Sequence, residues 1–133
     1  AENAPDITIE TIASNSGSRE KAYTNFQDAL TSIGAENIDF VFGVGDDHVL
    51  GAITACEEAG VEIPMIGLDG NPEAERAVAE GTMFVADVAQ NAHEIGVVTI
   101  DTMTRYLNGE TVEEDILIEP TMITPENADP NAK

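Results

Sequence analysis

The protein has 133 residues, enough for one domain around a single hydrophobic core. It is strongly acidic, since 26 Asp and Glu residues against 5 Lys and Arg residues give a formal net charge of −21. Nucleic acids and anionic membranes are bound through clustered cations, so we expect neither as a partner. The single cysteine, Cys56, excludes an internal disulfide and has no basic neighbour that would activate it, so we expect a buried apolar residue.

The first third of the chain predicts two strands with a helix between them. Ile7 to Ala13 alternates apolar and polar residues, as a strand does, and a polar loop from Ser14 to Ser18 follows. The apolar run Ile38 to Val44 predicts a buried strand. Between them, apolar residues recur at helical spacing up to a stop at Gly34. These residues are Ala22, Phe26, Ala29, Leu30 and Ile33.

The middle of the chain continues this alternation. A helix is predicted from Asp47 to Ala59, opened by Gly45-Asp46 and stopped by Gly60, and a third strand from Ile63 to Leu68. Asn71-Pro72 has the residue types of a helix start, and that helix ends at Gly81. Thr82 to Val88 then predicts a fourth strand.

The last third predicts one long helix and an extended segment. The helix runs from Asn91 to Leu107 and stops at Asn108-Gly109, with Ile100 and Met103 on its apolar face. Thr111 to Glu119 predicts a fifth strand or an extended arm, and the Pro-containing tail from Pro120 predicts a surface segment.

Strands and helices therefore alternate along the chain. Short connections and near-continuous apolar strands favour a parallel sheet covered on both faces. The predicted fold class is α/β, a three-layer αβα arrangement with a flavodoxin-like, mostly parallel sheet.

Polar side chains follow the predicted strands at the edge where ligands bind in such sheets. They are Asp46, Asp47, Asp69, Gln90 and Asn91. Their oxygens and amides suit the hydroxyl groups of a neutral polyol. Asp46 and Asp47 equally suit helix capping, whereas Asn71 already occupies the cap position near Asp69, and glutamine is a poor cap.

Signals for catalysis or for a cofactor are weak. His48 and His93 have no second histidine or cysteine at metal-ligand spacing. Gly43-x-Gly45 lacks the third glycine of a dinucleotide fingerprint, and the serines of the loop 14–18 lack a nucleophile-elbow pattern. We therefore expect no enzyme, no cofactor and no metal.

Three segments carry a family resemblance. Residues 43–60, G-V-G-D-D-H-V-L-G-A-I-T-A-C-E-E-A-G, resemble a loop and helix with the pattern N-D-x-x-A-x-G-A. Residues 66–81, I-G-L-D-G-N-P-E-A-E-R-A-V-A-E-G, are similar to I-G-F-D-G-x-P-x-A-x-x-A-I-x-x-G. Residues 85–96, V-A-D-V-A-Q-N-A-H-E-I-G, resemble A-T-V-A-Q-x-P-x-x-x-G. All three patterns belong to ribose-type periplasmic sugar-binding proteins, and the resemblance covers residues 7 to about 128.

The resemblance implies a substrate-binding component of a carbohydrate ABC transporter, located in the periplasm or held at the cell surface as a lipoprotein. It would bind a monosaccharide in a cleft between two lobes and dock on the transporter permease. Asp69 matches the aspartate that binds sugar hydroxyls, and Gln90 matches the polar residue near the hinge. Gly45 replaces a binding asparagine, so that contact is lost or passes to Asp46. Around Gly17 the aromatic residue often found there is missing.

The length of the chain fits only part of such a protein. Residues 1–128 resemble most of the second, C-terminal lobe, followed by a tail at 129–133, whereas the first lobe has no counterpart. We therefore expect a fragment that binds sugar weakly or not at all when alone. We also expect an open sheet edge, through which a homodimer could form.

Three other functions are compatible with an α/β domain of this length. The effector-binding domain of a lactose-repressor-like transcription regulator shares this fold, but the Asp69-Gly70 pair and Ala89-Gln90-Asn91 favour the transport protein. A phosphoacceptor receiver domain needs acidic residues after its first strand, which are absent here, and a small α/β enzyme needs a nucleophile that the sequence does not offer.

Overall fold

The computed structural model describes residues 6–13 and 17–133. The helices are α1 (Arg19–Ala29), α2 (Asp46–Ala59), α3 (Pro72–Ala79) and α4 (Ala92–Leu107). The strands are β1 (Val41–Phe42), β2 (Met65–Asp69), β3 (Phe84–Ala89) and β4 (Thr121–Ile123). A π-helical turn (Leu30–Gly34) and a 3₁₀ turn (Ala35–Asn37) follow α1.

The strands form a four-stranded sheet in the order β1-β2-β3-β4. The first three strands are parallel, and β4 is antiparallel to β3. Met65 pairs with Phe84 and Asp69 with Ala89, so β2 and β3 end side by side. The predicted α/β class with a mostly parallel sheet is confirmed.

Local capping explains where α2 and α3 begin and end. The side-chain oxygen of Asn71 accepts the backbone N–H groups of Glu73 and Ala74, each at 2.9 Å, and Pro72 occupies the first turn. After α2, Gly60 takes the left-handed conformation with φ 68°. Both signals lie within a few residues of the chain they control, which is why the sequence predicts these helices well.

A single core joins α1, α2 and α3 to the sheet. Its fully buried members are Val49, Cys56, Met65, Ala74, Val78 and Phe84. Burial raises the pKa of the Cys56 thiol, as expected for an inert core cysteine.

These helices lie on one face of the sheet, because right-handed crossovers place α2 and α3 on the same side. Arg19 of α1 joins them from outside, with its guanidinium 2.8 Å from Asp47 of α2 and 2.7 Å from Glu73 of α3. On the opposite face, Phe42 and Met122 are half exposed or more. Within the described residues this face carries no helix, so the third layer stays a prediction.

The predicted strand Ile7–Ala13 is wrong. Residues 7–13 form no strand in the structure, and Ile7 and Ile9 are exposed. A strand needs a neighbour for its backbone N–H and C=O groups, and none of the described strands lies beside this segment. The buried strand predicted for Ile38–Val44 is only Val41–Phe42 in the structure, and Phe40 and Phe42 are exposed. The reason is that β1 is the edge strand of a sheet with one uncovered face.

The C-terminal predictions also need correction. Thr111–Glu119 forms an extended arm without strand pairing, so of the two predictions only the arm holds. The predicted surface tail instead supplies β4, with Ile123 buried opposite Asp87. Because β4 is three residues long, it leaves almost no periodicity in the sequence.

Helix α4 is confirmed as a helix but has no buried residue. Its predicted apolar face is open, with Ile100 69% and Leu107 74% exposed. The arm follows its other side, and the Asn91 side chain donates to the Glu119 carbonyl at 2.7 Å and to Thr121 Oγ1 at 3.1 Å. Within residues 6–13 and 17–133, no helix has the length and apolar character needed to cross a membrane.

Candidate functional site

The ends of β2 and β3 bring Asp69 and Gln90 together. The Gln90 backbone N–H donates to the Asp69 carbonyl at 3.1 Å, and Gln90 Nε2 donates to Asp69 Oδ1 at 2.7 Å. Both side chains are exposed at this bond, at the carboxyl edge of the parallel strands. The edge therefore presents a carboxylate beside an amide that still has a free carbonyl oxygen.

Asp69 is held in an uncommon backbone conformation. Its φ is 150°, and the next residue, Gly70, has φ 82°. A Cβ atom on Gly70 would lie 2.4 Å from the Ala89 side chain, so only glycine fits there. Backbone strain of this kind is found where a structure fixes the direction of a functional side chain.

Asp46 holds the Asp69 loop from below. Its carboxylate is fully buried, and Oδ2 accepts the Asn71 N–H at 2.7 Å. Its own backbone N–H donates to Asp69 Oδ2 at 3.4 Å. The sequence predicted Asp46 at the ligand edge, and the structure places its carboxylate under that edge, out of solvent.

Gly45 leaves room at the same edge. Its backbone is extended, and a Cβ atom there would lie 3.1 Å from Asp69 Oδ2 and 3.1 Å from His48 Nδ1. The His48 Nδ1 atom is buried without a hydrogen-bond partner among the described residues. The sequence pattern around His48 bears only on metal binding, which its spacing does not support, and no spacing signal links it to Asp69.

Asp87 is the other residue that sequence analysis missed. It lies in the middle of β3 and is fully buried, with Oδ1 accepting the Val88 N–H at 2.7 Å. Burial is the main cause that raises the pKa of Asp87. Burial, strengthened by the Asp87 and Asp69 carboxylates and opposed by the Asn71 N–H, raises the pKa of Asp46 to about 7. The sequence signal that could have revealed Asp87 is an acidic residue within an otherwise apolar strand.

The remaining predicted residues are spread around the edge. Asp47 is half exposed and bonded to Arg19, and Asn91 begins α4 in the left-handed conformation with φ 54°. Gly17 lies just before α1, and a Cβ there would meet nothing within 4 Å. Residues 14–16 of the same predicted loop lie outside the described residues.

Two concave surfaces lie away from this edge. One runs along α4 and is lined by His93, Val97 and Ile100, and the other lies between α4 and the arm. We give more weight to the Asp69–Gln90 edge, because the α4 surfaces are open and line a helix without buried residues. In the part of the chain that the structure describes, no group of three or more His, Cys, Asp or Glu could hold a metal ion.

Comparison with known proteins settles the family. Residues 1–111 match the periplasmic binding protein domain. The chain belongs to this family. The ribose import binding protein RbsB of Escherichia coli strain K12 is 33% identical over 96 residues, which cover 71% of this chain and 31% of that protein. The xylitol-binding protein of Mycolicibacterium smegmatis is 29% identical over 128 residues, covering 94% of this chain and 36% of that protein.

A solved structure agrees with the fold. The periplasmic solute-binding protein of an ABC transporter from Actinobacillus succinogenes 130z, with bound D-allose, superposes with a TM-score of 0.87 at 25% identity. The superposition covers 96% of this chain and 45% of that chain. This member of the family therefore spans about a third to under a half of the proteins to which it is similar.

Proposed function

We propose that this chain is one lobe of a substrate-binding protein of a carbohydrate ABC transporter. Asp69 and Gln90 contact the hydroxyl groups of a monosaccharide, and the Asp69–Gln90 pair at the carboxyl edge of β2 and β3 is the observation that carries the proposal. A carboxylate with an adjacent amide can accept and donate to vicinal hydroxyls. Its relatives favour this function over the effector domain of a transcription regulator.

The other predicted residues support this edge. Gly45 places no side chain 3.1 Å from Asp69 Oδ2, so the edge beside that carboxylate stays open to a sugar hydroxyl. Asp46 acts through the Asp69 loop, because its own carboxylate is buried. Gly17 belongs to the loop before α1, at the same end of the domain. None of these roles requires catalysis, a cofactor or a metal.

This chain corresponds to the second lobe, and the first lobe supplies the other wall of the cleft. The apolar face of α4 is exposed over several turns. A helix with such a face normally buries it against another surface in the complete protein. At the start of the α4–arm segment, residues 91–119, Asn91 donates to Thr121 Oγ1 of β4 at 3.1 Å and to the Glu119 carbonyl of the arm at 2.7 Å. We propose that this segment packs on the first lobe, and that the open face of the sheet is covered by a further helix of the second lobe.

Location and partners follow from the same proposal. The protein acts in the periplasm or at the cell surface as a lipoprotein, and its closed form docks on the transporter permease. In a chain that lacks the first lobe, the exposed edge at β1 pairs with a second copy to give a homodimer.

Calorimetric titration tests the function. The product of the complete reading frame and the 133-residue chain are titrated with D-ribose, D-allose and xylitol. We expect micromolar or tighter binding of at least one sugar by the complete product, and weak or no binding by the chain alone. Asp69→Asn should weaken the binding by about 10- to 100-fold, because a charge-assisted hydrogen bond is lost.

Asp28→Asn is the matched control. Asp28 is an exposed α1 residue outside both the edge and the α4–arm segment, so the same charge change there should leave the affinity unaltered. Micromolar binding by the 133-residue chain would contradict the need for the first lobe. No monosaccharide binding by the complete product would contradict the function itself.

A further inference from the structure

Two carboxyl groups lie against each other beneath the Asp69 loop. Asp46 begins α2 and Asp87 lies inside β3, and both are fully buried. Gly67 is the sheet partner of Asp87, and a Cβ atom on Gly67 would lie 2.8 Å from Asp46 Oδ1. Because Gly67 has no side chain, the Asp46 carboxyl group can approach the sheet at this point. There it lies within hydrogen-bonding reach of the Asp87 carboxyl group.

Each carboxyl group accepts a backbone hydrogen bond on one oxygen, and the other oxygen has no hydrogen-bond partner of good geometry within the described part of the chain, although the Gly70 N–H also stabilises the Asp87 carboxylate. Asp46 Oδ2 accepts from Asn71 and Asp87 Oδ1 accepts from Val88, both at 2.7 Å. Asp46 Oδ1 and Asp87 Oδ2 are buried without a hydrogen-bond partner among the described residues. Two ionised carboxylates can only accept, so neither can satisfy the other. A single proton placed between them satisfies both oxygens.

The surrounding charges do not neutralise the pair. Asp69 at the end of β2 adds a third carboxylate, and His48 lies in the first turn of α2. Asp47 of α2 and Glu73 of α3 are both bonded to Arg19, which is thereby engaged away from the pair. Strands β1 and β4 carry no titratable side chain. A proton is therefore the simplest counter-charge that this pocket can hold.

We propose that Asp46 and Asp87 share one proton in the folded protein, and that this proton positions the Asp69 loop. The raised pKa of both carboxyl groups agrees with such sharing. Asp87 stands where the pattern A-T-V-A-Q has threonine, and a carboxyl group there titrates whereas a hydroxyl group does not. A hydrogen bond between Asp87 and Asp46 therefore depends on pH.

Loss of the proton affects the binding edge directly. Two buried charges would then lie beside Asp69, and Asp46 is bonded through its backbone to that carboxylate and through its side chain to Asn71. We expect the loop to be ordered below about pH 7 and loosened above it. The effect on a ligand rests on the proposed function, whereas the shared proton does not.

Proton linkage of folding tests the proposal without any ligand. The free energy of unfolding is measured by urea titration between pH 5 and 8, in high salt to screen the acidic surface. A pKa raised in the folded state contributes stability that is complete below the unfolded value near 4 and is lost as the pH rises to about 7. Relative to Asp87→Asn, the wild type should therefore lose stability over this range with a slope of about one proton.

Matched variants separate the pair from the general acidity. Asp87→Asn supplies an amide N–H to Asp46, so its slope should lack that proton, whereas Asp101→Asn should keep the wild-type slope. Equal slopes in all three proteins would overturn the proposal. The Gln90 side-chain amide resonance reports on Asp69, so it should move with a midpoint near pH 7 in the wild type and stay fixed in Asp87→Asn.

Carboxyl carbon NMR of the wild type decides the matter if the Asp87→Asn variant does not fold. A carboxyl group that titrates above pH 6 supports the shared proton, and complete ionisation of all carboxyl groups below pH 5 overturns it. The same spectra are recorded with added MgCl₂ and CaCl₂. A cation that displaces the proton from these two residues at pH 6 would overturn the proposal in favour of a metal site.

Discussion

The two long helices of this protein, α2 and α4, have 14 and 16 residues and a similar apolar stripe, yet they differ fully in burial. In α2, Val49, Ile53 and Cys56 are enclosed by the core. In α4, Ile100 and Leu107 face outward. An amphipathic pattern thus encodes that a helix has a partner surface, but not where the partner is. The contrast agrees with the proposal that the segment around α4 packs on a surface outside the described core.

The charged side chains show the same division. Arg19 links α1, α2 and α3 across the packed part of the molecule. Arg105 of α4 lies 3.4 Å from Glu110 and 3.7 Å from Glu113, both in the segment that follows the same helix. The ion pairs of Arg19 thus lie within the packed region of α1, α2 and α3, and those of Arg105 lie within the α4–arm segment. The hydrogen bond of Asn91 to Thr121 connects this segment to the sheet.

The largest contrast should come from one substitution made in each helix. Ile53 is 7% exposed and Ile100 is 69% exposed. Ile53→Ala removes buried methylene groups and should lower the free energy of unfolding by about 2–5 kcal/mol. Ile100→Ala should change it by less than about 0.5 kcal/mol. Urea denaturation followed by circular dichroism measures both. Similar losses for the two variants would mean that α4 is packed in this chain.

Adding a methyl group to a glycine should have opposite effects in the two helices. A Cβ on Gly51 of α2 would lie 2.5 Å from the Arg19 carbonyl oxygen, at the close contact of α1 and α2. Gly51→Ala should therefore destabilise the protein by about 1–3 kcal/mol. Gly96 of α4 has nothing within 4 Å, so Gly96→Ala should stabilise by about 0.5–1 kcal/mol through helix propensity. Thermal unfolding gives the signs, and two shifts of the same sign would contradict the comparison.

The smallest effect should come from the two arginines. Arg19→Gln should lower the free energy of unfolding by about 0.5–1 kcal/mol at low salt, since its ion pairs are half exposed. Arg105→Gln should leave global unfolding unchanged and speed proteolysis of the arm.

The pH dependence checks the Arg19 contribution. Its hydrogen bond lowers the pKa of Glu73, so this stability is present above the ordinary value of 4.5 and is lost as the pH falls through the lower folded value. The difference between wild type and Arg19→Gln should shrink in acid, as followed by urea titration at stepped pH values. A difference independent of both pH and salt would rule out the ion pairs as its cause.

Elements with short-range signals were predictable from the sequence. Asn71-Pro72 and Gly60 mark helix ends through their own backbone preferences, and β2 and β3 are mostly apolar runs. The contact of Asp69 with Gln90 was predictable as well, because adjacent parallel strands end together. For these residues, sequence position already determines spatial position.

Features set by distant partners were not predictable. Ile7–Ala13 has a strand pattern but no described strand beside it, whereas β4 has a partner but almost no pattern. The burial of Asp87 depends on Gly67 of the neighbouring strand and on Asp46 above it. A position in one segment cannot reveal such three-way contacts before the segments are brought together.

The buried Cys56 is a probe for opening of the hydrophobic core around α2. It is the only thiol in the chain and is fully enclosed by the core in which α2 takes part. A thiol-specific reagent can modify it only after that core has opened, so the labelling rate in native buffer reports the population of open molecules. Motions confined to α4 would leave the rate unchanged. One unmodified side chain therefore distinguishes breathing of the core from movement at its periphery.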